Sequence, residues 1–169
     1  MDAPGRDFVP HIPRLRRYAR ALTGERSRAD DLVQDTLERA LIKLHLWRPG
    51  SDMRAWLFTL MHNVFINQLR VQSARSTVEL DDEAAQVAVR PTQTDGLEVR
   101  DLQAALLRLP EEQREVLLLV GLDQMTYEET AGVLEIPVGT VMSRLSRARE
   151  RLRGLLAGGA MPTALKVVK

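Results

Sequence analysis

The chain has no cysteine among its 169 residues, which removes disulfides, thiolate zinc sites and cysteine nucleophiles together and suits a reducing compartment. Its fold must hold by packing alone. Aromatic residues make up only 4%, while Leu, Ala and Arg are abundant, a mix that favours helices. No window approaches the roughly 20 apolar residues of a membrane span, and no long apolar run follows the basic residues near the N-terminus. Export and membrane insertion are therefore not expected, and the expected location is the cytoplasm. A Gly-rich phosphate loop is also missing, and His11, His45 and His62 stand at no ligand spacing. Catalysis, a metal centre, a cofactor and a small-molecule substrate are not expected.

What is present is a sharp division of charge. The formal net charge is +1, yet residues 1–78 hold 13 Lys and Arg against 8 Asp and Glu, residues 79–101 hold 2 against 7, and residues 102–169 hold 9 against 8. An acidic segment separates two less acidic blocks. Within the last block, the stretch from Arg144 to Arg153 carries five arginines and one glutamate, a density that suits phosphate contact as well as a solvated helix face.

Apolar residues recur at helical spacing through both blocks. In a helix predicted from Ala29 to Trp47, Val33, Leu37, Ala40 and Leu44 share one face, and Asp31, Gln34, Asp35 and Glu38 cluster on another. Breaks fall at Thr23-Gly24 and at Arg48-Pro49-Gly50-Ser51, and a further helix is predicted from about Met53 to Arg70. Between Ser76 and Arg100 no apolar period is sustained, which marks a linker. The expected organisation is a first domain at 8–75, a flexible acidic linker at 76–100, a second domain at 101–157 and a tail at 158–169. The fold class is all-α, with two small helical domains.

The second block predicts a helix from Leu97 to about Arg108. Pro110 then opens the next helix, with Glu111 and Glu112 at the positive end of its dipole. Thr126 and Glu129 form a capping-box pattern, and Pro137 suits the first turn of a last helix. The spacing from Thr126 to Leu134, then Glu135-Ile136-Pro137, then Val138 onward is that of a helix-turn-helix. On the last helix Val138, Val141, Leu145, Ala148 and Leu152 gather on one side, to pack against Tyr127, Ala131 and Leu134. Thr140, Arg144, Arg147 and Arg151 gather on another, with Ser143 at its edge. One face is anchored and the other offers donors to guanine and phosphate.

Three motifs make the resemblance more specific. Ala29-Asp30-Asp31-Leu32-Val33-Gln34-Asp35-Thr36-Leu37 resembles the polymerase-binding helix of sigma factor region two. Leu109-Pro110-Glu111-Glu112-Gln113-Arg114 and Tyr127-Glu128-Glu129-Thr130-Ala131, followed by Pro137-Val138-Gly139-Thr140-Val141, resemble region four. In this order, around a divergent linker and without other sigma regions, they resemble the extracytoplasmic-function (ECF) sigma factors of bacterial RNA polymerase, in the sigma-70 family.

That resemblance implies a protein that binds core RNA polymerase, reads −35 and −10 promoter elements and aids strand opening. Asp31, Gln34, Asp35 and Glu38 would face the clamp coiled coil of the largest subunit, and the second domain would meet the flap region. The helix from Met53 would present Arg54, Trp56, Asn63, Asn67 and Arg70 to the −10 element, because aromatic faces and side-chain amides can replace lost stacking and pairing. Trp56, beside Leu57 and Leu60, equally fits a core position. Thr140, Ser143, Arg144, Arg147 and Arg151 would serve the −35 element; positions that often carry a basic or aromatic residue in the family are here Met142 and Ser146, so sequence preference does not transfer. Expected partners are core polymerase, promoter DNA and an anti-sigma factor. Alternatives are a stand-alone helix-turn-helix regulator and a sigma-mimicking module that occupies an anti-sigma factor.

Overall fold

The computed structural model of the chain describes residues 6–78 and 97–158, and every regular element among them is helical. A 3-10 turn at Arg6–His11 leads into α1 (Ile12–Thr23), α2 (Arg26–Lys43) and, after a second 3-10 turn at Leu44–Leu46, α3 (Met53–Val78). The second block holds α4 (Leu97–Leu107), α5 (Glu111–Gly121), α6 (Tyr127–Leu134) and α7 (Val138–Leu156). Most of the expected acidic linker and the tail beyond Gly158 lie outside the described residues.

The first block is a bundle of α1, α2 and α3 around Leu15, Tyr18, Leu22, Leu32, Leu57, Phe58 and Met61, all fully buried. With few aromatics available, one pair sits at its centre: the rings of Tyr18 and Phe58 meet edge to face at 5.2 Å and 87°, the favoured geometry for two quadrupoles. Pro13 lies in the first turn of α1, and Gly24 ends the helix at φ 73°, its N–H bonded to the Arg20 carbonyl. Glycine is favoured there twice over, because a Cβ would also lie 2.5 Å from Leu107 Cδ1 of α4; the left-handed turn strains a side chain and the close approach would push Leu107 aside.

α3 runs past the expected end at Arg70 to Val78. Its apolar residues do not form a single stripe, because Leu57, Phe58, Leu60, Met61, Val64 and Phe65 are all buried. The reason is that α3 packs on two sides, against α2 on one and against α6 and the first 3-10 turn on the other.

In the second block α7 packs on α4, α5 and α6. Thr126 Oγ1 accepts from the Glu129 N–H at 3.0 Å, and the Glu129 carboxylate accepts from the Thr126 N–H at 3.1 Å, completing the expected capping box. Val141, Leu145 and Ala148 are buried with Ala131 and Leu134, while Val138, Leu152 and Tyr127 pack at the edge of the core, as the helical spacing requires. The two blocks also pack on each other, α1 on α4 and α5 and α3 on α6, so their apolar cores run together.

Candidate polymerase and nucleic-acid interfaces

On α2, burial of Ala29, Leu32, Val33, Thr36 and Ala40 turns the acidic side outward. Asp31, Gln34, Asp35 and Glu38 are all exposed. Gln34 Nε2 donates to Glu38 at 3.3 Å, and Gln68 Nε2 of α3 donates to Asp35 at 3.0 Å. The structure thus gathers the four residues on one solvent-facing side, with Asp35 tethered to the neighbouring helix.

The side of α3 expected to present Trp56, Asn63 and Asn67 is divided. Asn63, Asn67 and Arg70 are exposed, but Leu60 is buried and Trp56 is half-buried, its ring 6.3 Å from that of Phe8. The covered half is where the 3-10 turn and α6 lie against α3. Arg54 is likewise engaged: its guanidinium donates to Glu129 Oε2 at 3.1 Å and to the Asp123 carbonyl at 3.3 Å. The exposed Arg75 lies beyond Arg70 on the same helix.

α7 keeps its two faces apart. Ser143, Arg147 and Arg151 are exposed, whereas Thr140 and Arg144 are half-buried. Ser143 Oγ donates to the Thr140 carbonyl at 3.1 Å, and Arg144 lies 3.8 Å from the exposed carboxylate of Glu112, a pair of little energetic weight. Met142 is exposed beside this face.

A second group of charged residues, of which only Arg114 belongs to one of the family motifs, lies where the blocks meet. His62 Nδ1 donates to Glu115 Oε1 at 2.6 Å, with the carboxylate side chain only 4% exposed. The Arg114 side chain donates to four carbonyls, those of Leu22, Leu106, Leu107 and Leu109, all within 2.9 Å. Burial draws its pKa down, opposed chiefly by the charge of Glu111. Asp123, in the turn after α5, has a fully buried side chain 3.9 Å from Arg17, and neither carboxylate oxygen accepts a hydrogen bond. Burial pushes its pKa up to about 6, with Arg17, Arg14 and Arg54 pulling it down. Beside this boundary, α1, α4, α5 and α7 enclose an apolar groove of about 580 Å³ with Arg17 and Arg20 at its rim.

Two family models match the two blocks. The one described as the Sigma2 domain of PhyR matches residues 8–62, and the one described as Sigma-70, region 4, matches residues 100–152. Over 151 residues the chain is 42% identical to the ECF RNA polymerase sigma factor EcfG of Rhodopseudomonas palustris (strain TIE-1), covering 89% of this chain and 83% of that protein. The chain belongs to the ECF RNA polymerase sigma factors. Among solved structures, this sigma factor is similar to a chain in the co-crystal of the sigma factor RpoE with the anti-sigma factor NepR from Bartonella quintana. The TM-score is 0.81 at 35% identity, with 92% of this chain and 97% of that one covered. It is also similar to a chain in the structure of CnrH with the cytosolic domain of CnrY, at a TM-score of 0.66 and 27% identity, covering 92% and 88%.

Proposed function

We propose that this sigma factor engages core RNA polymerase through Asp31, Gln34, Asp35 and Glu38 of α2, presents Asn63, Asn67 and the arginines of α3 to the −10 element, and reads the −35 element with α7. As an ECF sigma factor it directs promoter-specific initiation. The bonds of RNA are made by the polymerase, so no catalytic group is required of this chain. The cytoplasm, where core polymerase works, is the proposed location.

The observation that carries the reading is the division of α7. Val141, Leu145 and Ala148 lock one face into the block, while Ser143, Arg147 and Arg151 are exposed on the other, which holds donors at fixed register for a groove. Acidic side chains on α2 suit a basic partner surface and orient docking more than they add affinity. For Trp56, packing against Phe8 favours a role in holding α3 over direct contact with a base. An anti-sigma factor is a further proposed partner, since the similar RpoE chain is held in a complex with the anti-sigma factor NepR. The apolar groove with Arg17 and Arg20 at its rim fits an amphipathic helix carrying acidic residues.

Run-off transcription with purified core polymerase on a genomic promoter library tests the function. Promoter-specific transcripts that appear only when this chain is added are expected. A sigma-mimicking module would bind an anti-sigma factor and yield no transcripts at all.

A further inference from the structure

On the reading of α7 as the −35 helix given above, we infer that Met142, beside the bare backbone of Gly139, selects a thymine of the −35 element through its C5-methyl group. The exposed side chains at the start of α7 carry this. Across its first two turns Val141 and Leu145 are buried, Thr140 and Arg144 are half-buried, and Gly139, Met142 and Ser143 are exposed. Arg144 is drawn toward Glu112, at 3.8 Å, and the Ser143 hydroxyl spends its proton on the Thr140 carbonyl. Met142, 53% exposed, is the apolar group among them and carries no donor.

Gly139 adds space beside it. Glycine costs a helix stability relative to alanine, and at Gly24 the left-handed φ and the nearness of Leu107 account for it. Neither reason holds at Gly139, whose φ is not positive and whose Cβ, were there one, would meet no atom of the chain within 4 Å. Residues three apart are neighbours on a helix surface, and side chains lean toward the helix N-terminus. Met142 therefore leans over the turn that holds Gly139, and the pair forms an apolar wall next to an open floor.

In a helix-turn-helix the N-terminal residues of the second helix meet base edges. Those edges present hydrogen-bond donors and acceptors in the major groove, and one apolar group, the methyl of thymine. A thioether chain is unbranched and polarizable, so it adapts to a methyl, while the missing side chain at Gly139 lets the base edge come close to the helix. Against a G·C pair the same side chain would cover polar edge atoms without replacing their bonds to water. The labour on α7 is thus divided: Arg147 and Arg151, farther along and exposed, supply charge for phosphate and guanine, and Met142 supplies the choice of thymine.

Deoxyuridine in place of thymidine removes the methyl and nothing else, so it isolates the contact. The full chain is assembled with core polymerase and bound to a promoter recovered by run-off transcription, with each thymine of the −35 element replaced in turn on either strand. For wild type, one replacement should weaken binding by about fourfold, the effect of one methyl-sized group taken out of contact, and the others should leave it unchanged. With Met142→Ala that same replacement should cost nothing further. The salt dependence of binding should match wild type, because no charge is lost. Gly139→Ala should raise the denaturant midpoint, since alanine favours the helix, and yet weaken promoter binding by about tenfold, because its methyl intrudes between helix and base edge. Unchanged helical circular dichroism establishes that both variants are folded. Indifference of wild type to deoxyuridine at every position overturns the proposal. So does a Met142→Ala protein as sensitive to it as wild type, or a Gly139→Ala protein that binds the promoter as tightly. Weakened binding of Met142→Ala to core enzyme alone would place Met142 on polymerase and overturn it too. A holoenzyme that ignores replacement of the whole −35 element would instead count against the reading of α7 itself.

Discussion

The guanidinium of Arg114 and the main-chain carbonyl of Leu22 meet at 2.8 Å across the boundary between the two blocks. Leu22 lies in the last turn of α1, and the same guanidinium reaches Leu106 and Leu107 in the last turn of α4. One buried cation therefore caps the negative ends of two helices, sharing the Leu106 carbonyl with the Leu109 N–H at 3.1 Å. Arg114→Lys keeps the charge but a single ammonium cannot span four carbonyls. The acceptors left over cost about 1–3 kcal/mol each when buried without a donor, so a loss on the order of 3 kcal/mol in stability is expected, read as a lowered thermal midpoint. An unchanged midpoint would mean that water replaces the missing donors.

The acidic side of α2 makes a separate prediction. Asp31→Ala with Gln34→Ala removes two exposed side chains that no described contact ties to the core, so folding should be unaffected. Affinity for core polymerase should fall about tenfold, the effect of losing roughly 1.4 kcal/mol at an interface. Fluorescence anisotropy of the labelled full chain titrated with core enzyme measures it.

For α7 the expectation is reversed. Arg144→Ala with Arg147→Ala should leave core binding as it is and weaken promoter binding by the assembled holoenzyme. Lost base contacts cost about 1–3 kcal/mol each, and lost phosphate contacts flatten the salt dependence. Promoter binding measured at several salt concentrations tells which of the two each arginine makes. Equal defects in core binding and promoter binding would contradict the division between α2 and α7.

Stability should also depend on pH through Asp123. Its pKa is about 6 in the folded chain against an ordinary 3.8, burial being the main cause, so the folded state takes up a proton more readily than the unfolded one. The contribution is fully present below about pH 4 and is lost as pH rises through 6. Asp123→Asn, which carries no charge to desolvate, should show little of this dependence. Its midpoint should gain on wild type between pH 4 and pH 8, by an amount on the order of 2 kcal/mol in stability. Parallel pH profiles for the two proteins would remove Asp123 as the source.

Glu135 occupies the helix-turn-helix turn at φ 54°, in the left-handed region, where a side chain is strained and glycine is not. Its N–H still bonds to the Ala131 carbonyl, so the turn is held by the ends of α6 and α7 and not by its own preference. Glu135→Gly should raise stability by about 0.5–1 kcal/mol without moving α7, measured by denaturant midpoint and by unchanged promoter affinity.

Much of this architecture was legible in the chain, and what escaped has a common cause. The two faces of α7, the Thr126 and Glu129 cap and the outward acidic side of α2 follow from helical periodicity and end chemistry, which are local. The length of α3 beyond Arg70 and the burial of Leu60 do not, because a helix packed on two sides loses the single apolar stripe that periodicity detects. Arg114 was visible only as the last residue of a motif, with no role attached, and Glu115 and Asp123 carried no signal. They are buried only because a second block, brought in across a long separation in sequence, covers them. The left-handed Glu135 was invisible for a related reason: glycine or asparagine announces such a turn, and glutamate does not.

Both tryptophans of the chain, Trp47 and Trp56, belong to the first block, and the Trp56 ring lies tilted at 40° against that of Phe8, half-buried. The protein therefore carries an intrinsic optical gauge. Emission from the second block contains no indole signal, so with Trp47 replaced by Phe a red shift on mixing with DNA reports solvent arriving at Trp56 on α3, and stopped-flow fluorescence can time that arrival without an added label.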